Sequence, residues 1–99
     1  MPQKKLTLHE DIEASLRTYE LLIGVFASRT RDMIGRYGEI EALSRLVTSA
    51  DLQQGFKILR DMRKLDATFE AVITRHTSDF RAQIVEAAAW RIENADRLE

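Results

Sequence analysis

A chain of 99 residues is long enough for one domain with a modest core, and 44% hydrophobic with 31% charged residues is the composition of a globular domain. The net charge is -1, with acidic and basic residues interleaved, so there is no clustered basic face of the kind nucleic acid requires. The absence of cysteine excludes disulfides and thiolate chemistry and fits a cytoplasmic location.

The one proline is Pro2, and from Leu8 onward apolar side chains recur every three or four positions. Proline breaks helices and that spacing makes them amphipathic, so the chain reads as all-α. Residues 1–99 form a single helical domain in this reading, with 1–6 as a disordered N-terminal tail. No apolar core follows the charged start, so no secretory signal is expected. The longest apolar run, Leu21 to Ala27, is far short of the roughly 20 residues a membrane span needs, and the membrane is not an expected partner.

Thr7 and Glu10 form a capping box ahead of the first periodic run. The spacing then predicts one long first helix, with Leu8, Ile12, Leu16, Tyr19, Leu22, Ile23, Phe26, Met33, Ile34 and Tyr37 along one stripe. Leu21 and Val25 widen that stripe in its middle. Gly24 lies inside it, where glycine costs about 1 kcal/mol against alanine. The first break falls at Gly35-Arg36-Tyr37-Gly38, with Gly38 as a left-handed C-terminal cap. Ile40, Leu43, Leu46 and Val47 then continue helical spacing, in a short helix or past a kink.

A second break falls at Thr48-Ser49-Ala50-Asp51. Ser49 is suited to cap a helix that turns Leu52, Phe56, Leu59 and Met62 inward. Asp66 is a further candidate cap, and Thr77-Ser78-Asp79 another, so residues 50–95 read as one long helix or two shorter ones. Phe69, Val72, Ile73, His76, Phe80, Ile84 and Ala87 continue the inward set. Ala87-Ala88-Ala89 permits close helix contact before Trp90. The expected architecture is a small helical bundle of a long first helix plus one long or two shorter helices. A helix of some forty residues would be about 60 Å long and would have little core of its own. Pairing into a dimeric four- or six-helix bundle is therefore expected.

No catalytic constellation is intact. His9 and Glu13 are four apart at a helix end, too few ligands for a metal site, and no cofactor is implied. His76 lies on the inward stripe with Asp79 three positions on, but a His-Asp pair without a nucleophile is not a catalytic unit. Gly35 to Gly38 could hold an anion, although a helix cap accounts for it more simply. Lys57, Arg60, Arg63 and Lys64 form the densest basic cluster, and Arg29, Arg31 and Arg36 a looser one.

Glu20 to Arg29 resembles the first-helix segment of the all-helical chorismate mutases, in which leucine-rich turns lead to a carboxylate-binding arginine. Leu65-Asp66-Ala67-Thr68-Phe69 resembles the start of their last helix. The resemblance implies a long, a medium and a final helix, and a site that clamps a dianionic transition state electrostatically. At the family's spacing the clamp lysine falls at Glu39-Ile40, an Arg-Glu pair at Ser49-Ala50 and a glutamine at Val85. Only Arg29 carries over, as a candidate anion-binding residue.

Without a catalytic set, the expectation is a non-catalytic protein-protein interaction module: an adaptor, chaperone, inhibitor or regulator. Its partner would be another protein or a second copy of itself. Surplus apolar surface on the first helix marks a contact site. Leu21, Val25 and Trp90 are the candidate contacts, with Lys57, Arg60 and Lys64 as their polar rim. The alternative is a small helical enzyme or anion-binding domain built around Arg29.

Overall fold

The computed structural model describes residues 6–50 and 52–98. Residues 1–5 of the expected 1–6 tail, and Asp51 at the expected second break, lie outside the described residues. Thr7 opens α1 (Leu8–Ile23) with the capping box its spacing implies. Its hydroxyl accepts from the Glu10 amide at 3.1 Å, and the Glu10 carboxylate accepts from the Thr7 amide at 2.9 Å. Two of the orphan donors at the helix start are thereby satisfied.

The long first helix is not formed. Gly24 takes a left-handed conformation (φ 74, ψ 12), its N–H bonds the Glu20 carbonyl, and α1 ends there. A side chain drives the break. The Glu20 carboxylate accepts from the Ala27 amide at 2.8 Å, supplying the cap that α2 (Ser28–Tyr37) lacks at its own N-cap residue. The same carboxylate takes two bonds from the Arg31 guanidinium, both 2.9 Å, while Arg31 Nη1 reaches Glu13 at 3.1 Å. These bonds tie the first turn of α2 to the last turns of α1.

Gly38 separates α2 from α3 (Glu39–Val47) as a single residue. It caps α2 as expected, but at φ 84 and ψ 161 rather than in the left-handed helical region. That combination is essentially restricted to glycine. Ser49 does not cap the next helix; α4 (Gln54–Asp61) begins later, and the Ser49 carbonyl instead accepts from Arg91 Nη2 at 2.6 Å. Arg63 (φ 60) ends α4 in the left-handed position usually given to glycine. The Lys64 amide returns to the Leu59 carbonyl and the Arg63 amide to that of Arg60, the paired bonds of a Schellman motif. Met62 therefore lies beyond the helix and is exposed, not inward.

A 3-10 turn, Leu65–Ala67, leads into α5 (Phe69–Arg75). Its cap is Thr68 and not Asp66: the Thr68 hydroxyl accepts from the Ala71 amide at 3.1 Å. A second 3-10 turn, Thr77–Asp79, precedes α6 (Ala82–Glu93), and a third spans Ala95–Arg97. Residues 50–95, read as one helix or two, thus hold three. The described residues form six α-helices and no strand. No helix among them is long and apolar enough to cross a membrane.

The short α5 is the centre of the packing and touches α1, α3 and α6. Val72 and Ile73 on it are fully buried against Ile12 and Leu16 of α1, Leu43 and Val47 of α3, and Ile84 and Ala88 of α6. The molecule measures 36 × 33 × 30 Å with a radius of gyration of 12.8 Å. These near-equal dimensions leave no room for a helix of about 60 Å.

Two buried carboxylates in this core are held by charged clasps, the first reaching out to exposed Arg75. Asp11, 5% exposed, receives Arg75 Nε and Nη2 at 2.9 Å each, and lies 3.0 Å from His76 Nε2. An ionised carboxylate only accepts, so the proton lies on Nε2. Burial raises the Asp11 pKa, but the bonds from Arg75 and His76 outweigh it and hold the group below its ordinary value. Glu70 and Arg91 form the second clasp, 3.1 Å apart, with Arg91 also bound to the Leu46 and Ser49 carbonyls. Burial pushes the Glu70 carboxyl above its usual range. The expected partner of His76, Asp79, is instead exposed on its 3-10 turn.

Candidate functional site

Two surface features stand out from the packed core. The first is the α1–α2 turn. Leu21 is 84% exposed, Val25 61% and Phe26 68%. They surround an open hollow of about 430 Å³ whose edge is formed by Arg17, Glu20 and Gly24. Apolar groups this bare gain nothing from folding, yet the turn that carries them is tightly held. Arg31 not only clasps Glu13 and Glu20 but lies 4.8 Å above the Phe26 ring, within cation-π range. Hydrogen bonds from Arg31, and then from the Ala27 amide, pull the Glu20 carboxyl down to about 2. The Arg31 guanidinium is correspondingly stabilised in its charged form by Glu20. Arg17 lies at the rim, exposed and without a hydrogen bond or ion pair to any described residue.

The second feature is a cleft of about 330 Å³ between α1, α2, the end of α3, α4 and the start of α5. Leu16, Met33, Val47, Phe56 and Phe69 form its walls. Tyr19 closes one side; its ring lies so close to Gly55 that a Cβ there would meet it at 3.7 Å. Arg29 stands at the margin, exposed and without a bonded partner among the described residues.

The residues singled out in the sequence are spread across the molecule. Leu21 and Val25 come together at the turn, and Phe26, expected on the inward stripe, joins them. Its exposure follows from the Gly24 break, which removes it from the helix that would have turned it inward. Trp90, 55% exposed on α6, lines neither cavity. Lys57, Arg60 and Lys64 do not share one helical face, because α4 ends at Asp61. Arg60 is engaged with Asp61 at 2.9 Å and with the carbonyls of Ala95 and Leu98, tying α4 to the C-terminal turn.

His9 and Glu13 part company. His9 Nδ1 meets Glu39 Oε2 at 2.7 Å, which raises its pKa, while Glu13 serves Arg31. No group of three potential metal ligands comes together among the described residues. The long helix implied by the chorismate mutase resemblance is broken at Gly24, inside the matched segment. Its second matched segment is a 3-10 turn and a helix cap. The chain matches no protein-family profile, no curated protein and no solved structure.

Proposed function

We propose that this protein is a non-catalytic helical interaction module that seats an amphipathic segment of a partner protein on the Leu21-Val25-Phe26 turn. The observation that carries the reading is the pairing of high exposure with a turn held by side-chain hydrogen bonds. Three large apolar side chains are held out by a turn that Arg31 locks from behind. Such preorganisation reduces the ordering cost of binding, and exposed apolar clusters ringed by polar groups mark contact sites. The hollow accepts an apolar side chain, and Arg17 at its edge favours a segment that carries acidic residues beside its apolar stripe.

A photo-crosslinking amino acid placed at Val25 in the native host, followed by binding assays with the purified partner, tests this. Leu21→Lys is expected to weaken that partner at least tenfold. Because the side chain is 84% exposed, the stability of the free protein should stay within about 0.5 kcal/mol of the parent. Equal binding of parent and Leu21→Lys would overturn the proposal. A crosslink only to a second copy, with concentration-dependent sedimentation, would replace the partner by the chain itself.

A further inference from the structure

The cleft beside Tyr19 has a composition distinct from the turn, and two sets of its polar groups differ in how they are paired. Those at its base are internally satisfied. The Ser15 hydroxyl donates to the Ala67 carbonyl, the Thr68 hydroxyl to that of Leu65 at 2.7 Å, and Glu70 is bound by Arg91. With these groups already paired, the inner surface acts as an apolar one, formed by Leu16, Val47, Phe56 and Phe69. The groups at the mouth are different. Arg29 has no partner among the described residues, in contrast to Arg31 two positions on, which binds two carboxylates. The Tyr19 hydroxyl likewise makes no hydrogen bond to a described residue, and its ring lies beside Gly55.

An apolar interior with one unpaired cation and one phenol at the opening matches a single-headed anionic amphiphile. The volume, about 330 Å³, lies at the small end of ligand pockets, which run from about 300 to 1,000 Å³. We infer that this cleft binds a small monocarboxylate with an apolar body, its carboxylate on the Arg29 guanidinium and its hydrocarbon part against Phe56 and Phe69. Arginine holds a carboxylate with charge-assisted bonds, and the Tyr19 O–H can donate a further one. The walls provide no second cation, so a dianion gains nothing over a monoanion here. This site is separate from the turn that carries Leu21, and either can exist without the other.

Titration with octanoate and its neutral analogue octanamide, followed residue by residue in amide nuclear magnetic resonance spectra, tests the inference. Octanoate is expected to give saturable shifts clustered at Leu16, Tyr19, Arg29 and Phe56, and to bind at least tenfold more tightly than octanamide. Arg29→Gln should bring octanoate down to the level of octanamide and leave octanamide unchanged, which separates a lost charge contact from lost folding. Leu21→Lys should leave octanoate binding intact. Three results would overturn the site: no saturation by millimolar octanoate, equal affinity for the two probes in the parent, or shifts confined to Leu21, Val25 and Phe26.

Discussion

The two ends of α1 are held by similar chemistry in opposite surroundings. Toward its start, buried Asp11 binds His76 in the core and Arg75 at its edge, and Ile12, Ser15 and Leu16 are buried with it. Toward its finish, Glu20 draws Arg31 across an exposed turn, and the apolar side chains there stay in solvent. The inner clasp serves burial. An unpaired carboxylate in the core would be costly, so its bonds are a condition of packing that end of the helix at all. The outer clasp is itself largely shielded, with the Glu20 side chain 13% and the Arg31 side chain 24% exposed, but it orders a turn whose apolar side chains stay in solvent. Backbone order and apolar burial are thus separable in this chain.

This contrast can be broken from either side. The largest expected effect is at the inner clasp. Asp11→Ala leaves His76 without its partner and should cost about 2–3 kcal/mol, below the 3–5 kcal/mol of a fully enclosed pair because Arg75 retains access to water. Urea unfolding monitored by circular dichroism measures it; a loss under about 1 kcal/mol would mean the clasp adds little to packing. At the outer end, Gly24→Ala meets no atom within 4 Å but must hold φ at +74, so the expected cost is about 1 kcal/mol of backbone strain. The same unfolding assay separates the two sites.

The smallest effect is on the acid side. The Glu20 carboxyl is held at about 2 in the fold against an ordinary value of 4.5. A lowered pKa means a stabilising contribution that is complete above pH 4.5 and fades as pH falls toward 2. The Ala27 amide resonance should titrate near the lower value. A midpoint near 4.5 would show that the turn is not clasped in solution.

The local signals in the sequence were readable wherever a few adjacent residues decide the outcome. Thr7 with Glu10, Gly38 as an end of helix, and the inward positions of Phe56 and Leu59 are all of that kind. The fold departs from the reading where distant residues decide. Gly24 within an apolar stripe reads as a tolerated weakness or as the close approach of another helix. It becomes a terminus because the Glu20 carboxylate captures Ala27 and Arg31, which lie beyond the turn. Asp79 was the natural neighbour for His76 on spacing, yet the acid that reaches it is 65 positions away. Thr68 took the cap assigned to Asp66 because its hydroxyl stands three residues before an unpaired amide. Of the surface, Leu21 and Val25 were legible as surplus apolar residues. The cleft was not, since its walls are assembled from five helices.

Gly38 sets a limit on how the length of this chain can vary. It is the only residue between α2 and α3, so that corner contains no slack. One inserted residue there would turn the following helix by about 100°, carrying Ala42, Leu43 and Val47 off the face they now present to the core, or would drag α2 along the surface instead. Insertions and deletions among natural variants of this protein should therefore avoid this corner, and the spacing from Ser28 to Val47 should stay constant.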